Sequence, residues 1–571
     1  MPEKKRLFAE QLAQKIDSNE IRSFAELNTA KLEIAAIIGV SHMPPNPSLL
    51  QFLSNPSPRV RRLLGIKPIR TISGVAPLAI MTKPIDCKHG TCFFCPGGKK
   101  SVFGSTSKSY TGHEPASMRA QSNHFDAYLQ TMNRLYQFAA TNHNFQKIEL
   151  ILMGGTFPSF PKSYRHSFVA ETYKALNDFS DRFFSGNQFD FEKFNSFFHP
   201  SRFEYMKNSG FVQKELLKKK GKPRLKTEQK RNETANVRLV TFCVETKPDY
   251  CKKLHINDLL ELGVTRVELG VQALRDEILS FANRGHSVRD SIIATQLLKD
   301  SALKVTYHMM LGLPKSNPEL DLEMFRELFE NPDFRPDALK IYPCMVMPGT
   351  PLQKLFEQKR FVPLSTEQAS EIIANAKKFV PKWCRIQRIM RDIPTTLSIG
   401  GPQRNNLRQL VEKKCGELGI QCQCIRCREA GHIQSKKGIR LDAAKAVFSV
   451  EEYDASHGIE FFVSAEEPNE NALFGFCRLR IPFKPFRPEI SSKTALIREL
   501  HVFGEATALG EHKKGGIQHH GLGKQLLQKA EQIAQEEFGS NKMIVISGIG
   551  AREYYRKLDY HPKGVYMEKL L

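Results

Sequence analysis

The chain runs to 571 residues, too many for one ordinary hydrophobic core, so two or more domains are expected. No apolar run approaches the ~20 residues of a membrane span, and the start, MPEKKRLFAEQLAQK, has no apolar signal region; both argue against a membrane or secreted protein and for the cytoplasm. Lys and Arg outnumber Asp and Glu by 84 to 60, and this excess of 24 favours a polyanionic partner, with a generic basic surface as the plain alternative.

Residues 1–65 read as a basic helical segment that ends in the proline-rich connector HMPPNPSLLQFLSNPSP. Basic runs recur in SPRVRRLLGIKPIR (57–70) and KELLKKKGKPRLKTEQKR (214–231). From 66 to 380 short apolar runs alternate with amphipathic stretches. VAPLAIMT, KIELILMGG, RLVTFCVET, RVELGVQ, KVTYHMMLG and ALKIYPCM predict strands. Segments such as DSIIATQLLKDSA, apolar at i, i+3 and i+4, predict helices between them. That alternation implies parallel βαβ units, hence an α/β sheet or partial (β/α) barrel with ligands at the strand C-termini. The Phe- and Lys-rich stretch from about 162 to 236 breaks the rhythm and reads as an insertion. Residues 381–440 form a cysteine-rich linker. From 441 to 571, longer strands and one strong helix, GLGKQLLQKAEQIAQEEFG, predict a second α/β domain.

Within DCKHGTCFFCPGGKK (86–100), Cys87, Cys92 and Cys95 stand in a C-x4-C-x2-C array after the first predicted strand. A structural zinc ion prefers four protein ligands, whereas an iron–sulfur cluster held by three thiolates keeps one iron open for a ligand. Phe93 and Phe94 can shield a cluster, and no fourth cysteine follows nearby, although His89 is a candidate. The cluster is the expectation; structural zinc and inert buried thiols are the alternatives.

At these residues the chain resembles the radical S-adenosylmethionine superfamily, whose usual spacing is x3 rather than x4. The resemblance implies that Gly154 and Gly155 in LILMGGTF give close backbone approach to the methionine amine. It also makes Glu245, Gln272 and Arg284 candidates for contacts to S-adenosylmethionine. Each has a bland reading as a polar cap at a strand end. In the second domain, Gln518 to Gly523 forms Q-x-x-G-x-G at the opening of the long helix, after the strand RELHVFG. Such glycines let backbone N–H groups surround a pyrophosphate. This resembles the acetyl-coenzyme A loop of the GNAT acetyltransferases. In REYYRKLDY, Tyr554 and Tyr555 are candidates for a phenol that orients a thioester or protonates a leaving thiolate, one of the two being expected to pack instead.

From about residue 60 onward the ordered stretches CFFCPGG, SYTGHEPASMRA, IELILMGGTFPSFP, KIYPCMVMPGTPL, RIQRIMRDIP, CIRCREAGH and HHGLGKQLL resemble the catalytic subunit of Elongator. Lys247, Asp559 and Val565 depart from that pattern. The resemblance implies carboxymethylation of the wobble uridine of tRNA, with a [4Fe–4S] cluster, S-adenosylmethionine and acetyl-coenzyme A. It places acetyl-coenzyme A against Lys147, Glu499, Leu500, His501, Val502, Leu522, Gly523, Lys524 and Tyr555. Residues 1–65, as a basic helical segment, are expected to bind tRNA. A monomer or homodimer is expected, with accessory subunits open. Cys422, Cys424 and Cys427 suit a structural zinc ion, with Cys415, Cys384 or His432 as fourth ligand, or are free thiols. A protein-lysine acetyltransferase with a structural iron–sulfur site is the runner-up function, and a non-catalytic tRNA-binding scaffold the third.

Overall fold

The computed structural model describes residues 2–40, 42–50, 52–65, 73–198, 210–504 and 521–571. Residues 66–70 of the first basic run and residues 518–520 of the glycine motif lie outside the described residues.

Seven strands build the first sheet: β1 (Ala76–Met81), β2 (Lys147–Met153), β3 (Arg238–Thr246), β4 (Arg266–Gln272), β5 (Lys304–Leu311), β6 (Ala338–Pro343) and β7 (Arg385–Ile389). They lie side by side in chain order and every neighbouring pair is parallel. Parallel neighbours need crossovers, and the helices Ala127–Ala140, Lys162–Phe183, Lys253–Leu262, Val288–Lys299 and Pro318–Glu330 fall between successive strands. The sheet is an open, curled half-barrel with β1 and β7 as its edges.

The strands are buried on both faces, but the two faces differ in chemistry. In β4, Val267, Leu269 and Val271 join the hydrophobic core, while Arg266, Glu268, Gly270 and Gln272 line cavities on the other side. The same alternation sets Ile148 and Leu150 against Lys147 and Glu149 in β2, and Leu339 and Ile341 against Lys340 and Tyr342 in β6. Side chains alternate across a strand, so one period-two pattern builds a core outside and a polar channel inside.

The stretch 162–236 falls between β2 and β3. Its first helix, Lys162–Phe183, is the crossover, and further helices at Phe191–Phe198, Phe211–Lys220 and Leu225–Asn232 elaborate it.

The second sheet has β8 (Val447–Ala455), β9 (Gly458–Glu467), β10 (Ala472–Ile481), β11 (Thr494–Val502), β12 (Lys542–Val545), β13 (His561–Lys563) and β14 (Tyr566–Leu570). Its order is β8-β9-β10-β11-β12-β14-β13, antiparallel except for the parallel pair β11–β12. That pair is matched only over Thr494–Ile497, whereas β10 follows β11 out to Val502. Residues 498–502 therefore splay away from β12. One face of the sheet packs under the helix Leu522–Glu536, and Phe462, Phe476, Leu496 and Ile544 of the other face join the core of the first domain.

Fully buried charges cross that junction. Arg498 of β11 donates to both oxygens of Asp337, at 2.6 and 2.9 Å, and at 2.8 Å to Glu460. Arg480 binds Asp300 at 2.6 Å and Glu460 at 3.0 Å. A buried charge robbed of its partner costs about 3–5 kcal/mol, so this network fixes the relative placement of the two domains.

Candidate active site: two adjoining cavities

Cys87 leaves β1 in a loop that brings it, Cys92 and Cys95 around a cavity of about 120 Å³ at the C-terminal strand ends. Arg284 Nη1 donates to Cys92 Sγ at 3.2 Å, His89 Nε2 lies 3.3 Å from the same sulfur, and the Ser109 amide donates to Cys95 Sγ at 3.3 Å. Burial, with Lys247, Arg284 and Lys108 nearby, pushes the His89 pKa down to about 4, so its ring is neutral and able to act as a donor atom at neutral pH. Gly155, Glu245, Gln272 and Arg284 line the same cavity. At Gly154, with φ at +114°, an added Cβ would lie 2.6 Å from Thr82 Oγ1, so the tight turn under the cavity needs glycine.

The residues present fit a cluster with a polar ligand. Gln272 Oε1, Arg284 Nε, Thr246 Oγ1 and His89 Nδ1 are buried without a hydrogen-bond partner within the chain, an arrangement costly unless something polar meets them. The spacing of the thiols also separates the two cysteine arrays. Cys422, Cys424 and Cys427 hold their sulfurs within 4.8 Å of one another, close enough for one ion, and Cys384, Cys415 and His432 do not join that set. The Cys87, Cys92 and Cys95 thiols are not gathered so tightly, as suits ligands to separate irons. Burial lowers the pKa of the nearby Lys377, but Cys427, Cys422, Cys415 and Cys424 together outweigh it, a buried cation that complements thiolates.

A second cavity of about 1180 Å³ lies between the two domains. Lys147, Glu499, Leu500, His501, Val502 and Tyr555 line it, brought together from β2, the splayed end of β11 and the helix Arg552–Arg556. Burial opposes ionisation of Glu499, yet Lys304 of β5 and Arg478 of β10 outweigh it and hold the carboxyl near pKa 2. The Glu499 carboxylate is thus engaged in a bridge between domains. Tyr555 is 7% exposed and faces the cavity, and burial raises its pKa, so the phenol stays protonated and able to donate a hydrogen bond. Tyr554 is 42% exposed and stands with its hydroxyl 2.7 Å from where a Cβ on Gly523 would be, so it packs on the helix opening. Leu522, Gly523 and Lys524 form that opening and do not line the cavity.

Met153, Lys340, Arg388 and Asp392 line both cavities. Beside this shared wall lies a polar network of which the sequence singled out only Glu245. His308 Nε2 meets Glu268 at 2.8 Å, Tyr110 donates to Glu245 at 2.8 Å, and Lys340 pairs with both Glu268 and Glu245. Polar residues at alternate positions of otherwise apolar strands were the signal that could have found Glu268, His308 and Lys340.

An open parallel half-barrel with three cysteines and a glycine turn at its strand ends, joined to a splayed antiparallel sheet, defines a radical S-adenosylmethionine fold fused to a GNAT-type acyltransferase fold. Family models match accordingly: the radical SAM superfamily over residues 85–328, the radical SAM C-terminal domain over 336–417, and the acetyltransferase (GNAT) family over 439–560. The chain belongs to the family of the tRNA uridine(34) acetyltransferases and Elongator complex protein 3. It is 47% identical to tRNA uridine(34) acetyltransferase of Methanocaldococcus jannaschii, over 94% of this chain and 91% of that one. It is 36% identical to Elongator complex protein 3 of Homo sapiens, over 98% of this chain and 96% of that one. The solved structure of Methanocaldococcus infernus Elp3 with an N-terminal deletion superimposes with a TM-score of 0.71 at 42% identity, covering 88% of this chain and all of that one.

Proposed function

We propose that this chain is a tRNA uridine(34) acetyltransferase that builds a carboxymethyl group on C5 of the wobble uridine. The observation that carries the reading is the shared wall of Met153, Lys340, Arg388 and Asp392, which sets the thiol-lined cavity directly against the larger one between the domains. When bound, a [4Fe–4S] cluster with S-adenosylmethionine supplies a radical able to take hydrogen from the acetyl methyl, and acetyl-coenzyme A supplies the two carbons.

The chain does the rest. Cys87, Cys92 and Cys95 hold the cluster. Gly154, Gly155, Gln272, Arg284 and Glu245 receive S-adenosylmethionine at the strand ends. Leu522 to Lys524 take the pyrophosphate of coenzyme A, and Lys147 with Glu499 to Val502 direct its acetyl arm inward. Tyr555 orients the thioester carbonyl and passes its proton to the leaving thiolate when water releases the carboxylate, and a proton from that water restores the phenol. The uridine needs no duplex melting, since an anticodon-loop base is already single-stranded. Residues 1–65 and the basic excess supply tRNA affinity, and Cys422, Cys424 and Cys427 hold zinc in the segment that follows β7. All twelve cysteines are free, in keeping with a cytoplasmic site, and no helix among the described residues is long and apolar enough to cross a membrane.

The test is an anaerobic incubation with tRNA, both cofactors and a reductant, followed by nucleoside mass spectrometry. 5-Carboxymethyluridine that requires both cofactors is expected. Acetylated protein lysines with unmodified tRNA would mean a protein acetyltransferase, and consumption of neither cofactor would mean a scaffold.

A further inference from the structure

The helical elaboration between β2 and β3 ends where the acetyl site begins. Its last helix, Leu225–Asn232, is followed by Glu233, which is 4% exposed. The Glu233 carboxylate accepts from Arg552 Nη1 at 3.2 Å and from Arg556 Nη2 at 2.7 Å, with Lys230 as a third cation at 3.0 Å. Burial opposes ionisation of Glu233, and Arg556, Lys230 and Arg552 outweigh it, so the carboxylate is charged. The two arginines bracket Tyr555 on the helix Arg552–Arg556.

The turn before that helix is also pressed onto the first domain. A Cβ on Gly548 would lie 2.1 Å from the Val240 carbonyl oxygen, and one on Gly550 would lie 2.5 Å from Arg238 Cβ. Ile549 between them is 2% exposed, and its Cγ1 lies 3.2 Å from where a Cβ on Gly263 would be. A five-residue helix has no stability of its own and takes its position from what it touches. Here the contacts are backbone of β3 on one side and a charge-assisted fork on Glu233 on the other.

We infer that Glu233 is a positioning residue for Tyr555: it anchors the helix Arg552–Arg556 to the radical half of the molecule and thereby sets where the phenol meets the thioester. Glu233 does not line the cavity, so its action runs through Tyr555. The acetyl site is therefore completed by the first domain, through the turn that follows the helix Leu225–Asn232. The inference rests on the role given to Tyr555 above.

The test uses the full chain and Glu233→Gln, which keeps shape and removes charge. Amide hydrogen exchange should quicken over residues 549–558 and nowhere else. Coenzyme A release measured with tRNA present should fall about ten- to a hundredfold, the scale on which a small misplacement of a catalytic group acts. KM and the Kd of a non-hydrolysable acetyl-coenzyme A analogue should stay within about twofold, because binding groups are untouched. The pair Glu233→Gln/Tyr555→Phe should be no slower than Tyr555→Phe alone. Arg556→Gln breaks the same contact from the other side and should reproduce the pattern, carrying the test where Glu233→Gln does not fold; Glu233→Asp should restore part of the rate. Unchanged exchange and release in Glu233→Gln would overturn the inference. So would a full additional loss in the Tyr555→Phe background, which would put its action elsewhere. Wild-type release by Tyr555→Phe alone would instead remove the reading of Tyr555, and the inference with it.

Discussion

The two adjoining cavities are built in opposite ways. The thiol-lined end draws its cysteines, glycine turn, Gln272 and Arg284 from residues 87–284 of one domain, and His308, Lys340 and Arg388 come from the same sheet. The thioester end is assembled across the junction: Lys147 and Lys304 come from the first sheet, Glu499 to Val502 from the second, and Tyr555 from a helix that Glu233 holds from afar. The first end is a local property of one fold. The second exists only while the domains are docked, and its parts should fail together.

The sharpest way to break this contrast is Cys92→Ala. It should abolish iron binding and uridine modification outright, while affinity for an acetyl-coenzyme A analogue stays as in wild type. Equal loss of analogue binding would show that the ends are not separately built. Next in size, Tyr555→Phe should slow coenzyme A release by about 10²–10⁴-fold, the range for a positioned proton donor. Tyr554→Phe should change it little, since its ring packs on Gly523 outside the cavity. Iron content measured alongside should be untouched in both.

A third test addresses the docking itself. Glu499 is held near pKa 2 against an ordinary value of 4.5. A carboxylate depressed by that much contributes about 3 kcal/mol, at 1.36 kcal/mol per pKa unit. The folded pKa lies below the unfolded one, so this stability is present in full above about pH 4.5 and is lost as pH falls towards 2. Glu499→Gln should therefore lower the unfolding free energy at pH 7, and the difference from wild type should shrink through that window. A difference constant from pH 7 to pH 3 would show that the Lys304 bridge is not its source.

These contrasts also explain what the sequence made legible. The six predicted strands coincide with β1 to β6, because their period-two and continuous apolar runs carry the core contacts locally. β7, RIQRI, was missed: three of its five residues are polar, and it is a strand because it pairs with β6. At the site, Cys87, Cys92 and Cys95 stand within nine residues of each other, so their grouping is visible in the chain. The bridges Lys304–Glu499 and Glu233–Arg556 join residues 195 and 323 positions apart, and no local pattern announces them. The residues themselves did not tell the two tyrosines apart, and only the resemblance favoured Tyr555, because which of two neighbours faces a cavity depends on how their helix is docked.

The smallest expected effect concerns tRNA. Charge reversal at Arg61 and Arg62 should weaken binding across tRNA species alike, and each lost phosphate contact should lower the salt slope by about one. A loss confined to one tRNA would point to base recognition instead.

The central claim is that both ends serve one reaction through the wall they share. It is tested most directly with acetyl-coenzyme A deuterated at the methyl group, given anaerobically with S-adenosylmethionine, reductant and tRNA. Deuterium in the released 5′-deoxyadenosine, together with both acetyl carbons on uridine 34, is the expected result. Deuterium-free 5′-deoxyadenosine, with label recovered only as acetate or on protein lysines, would contradict it.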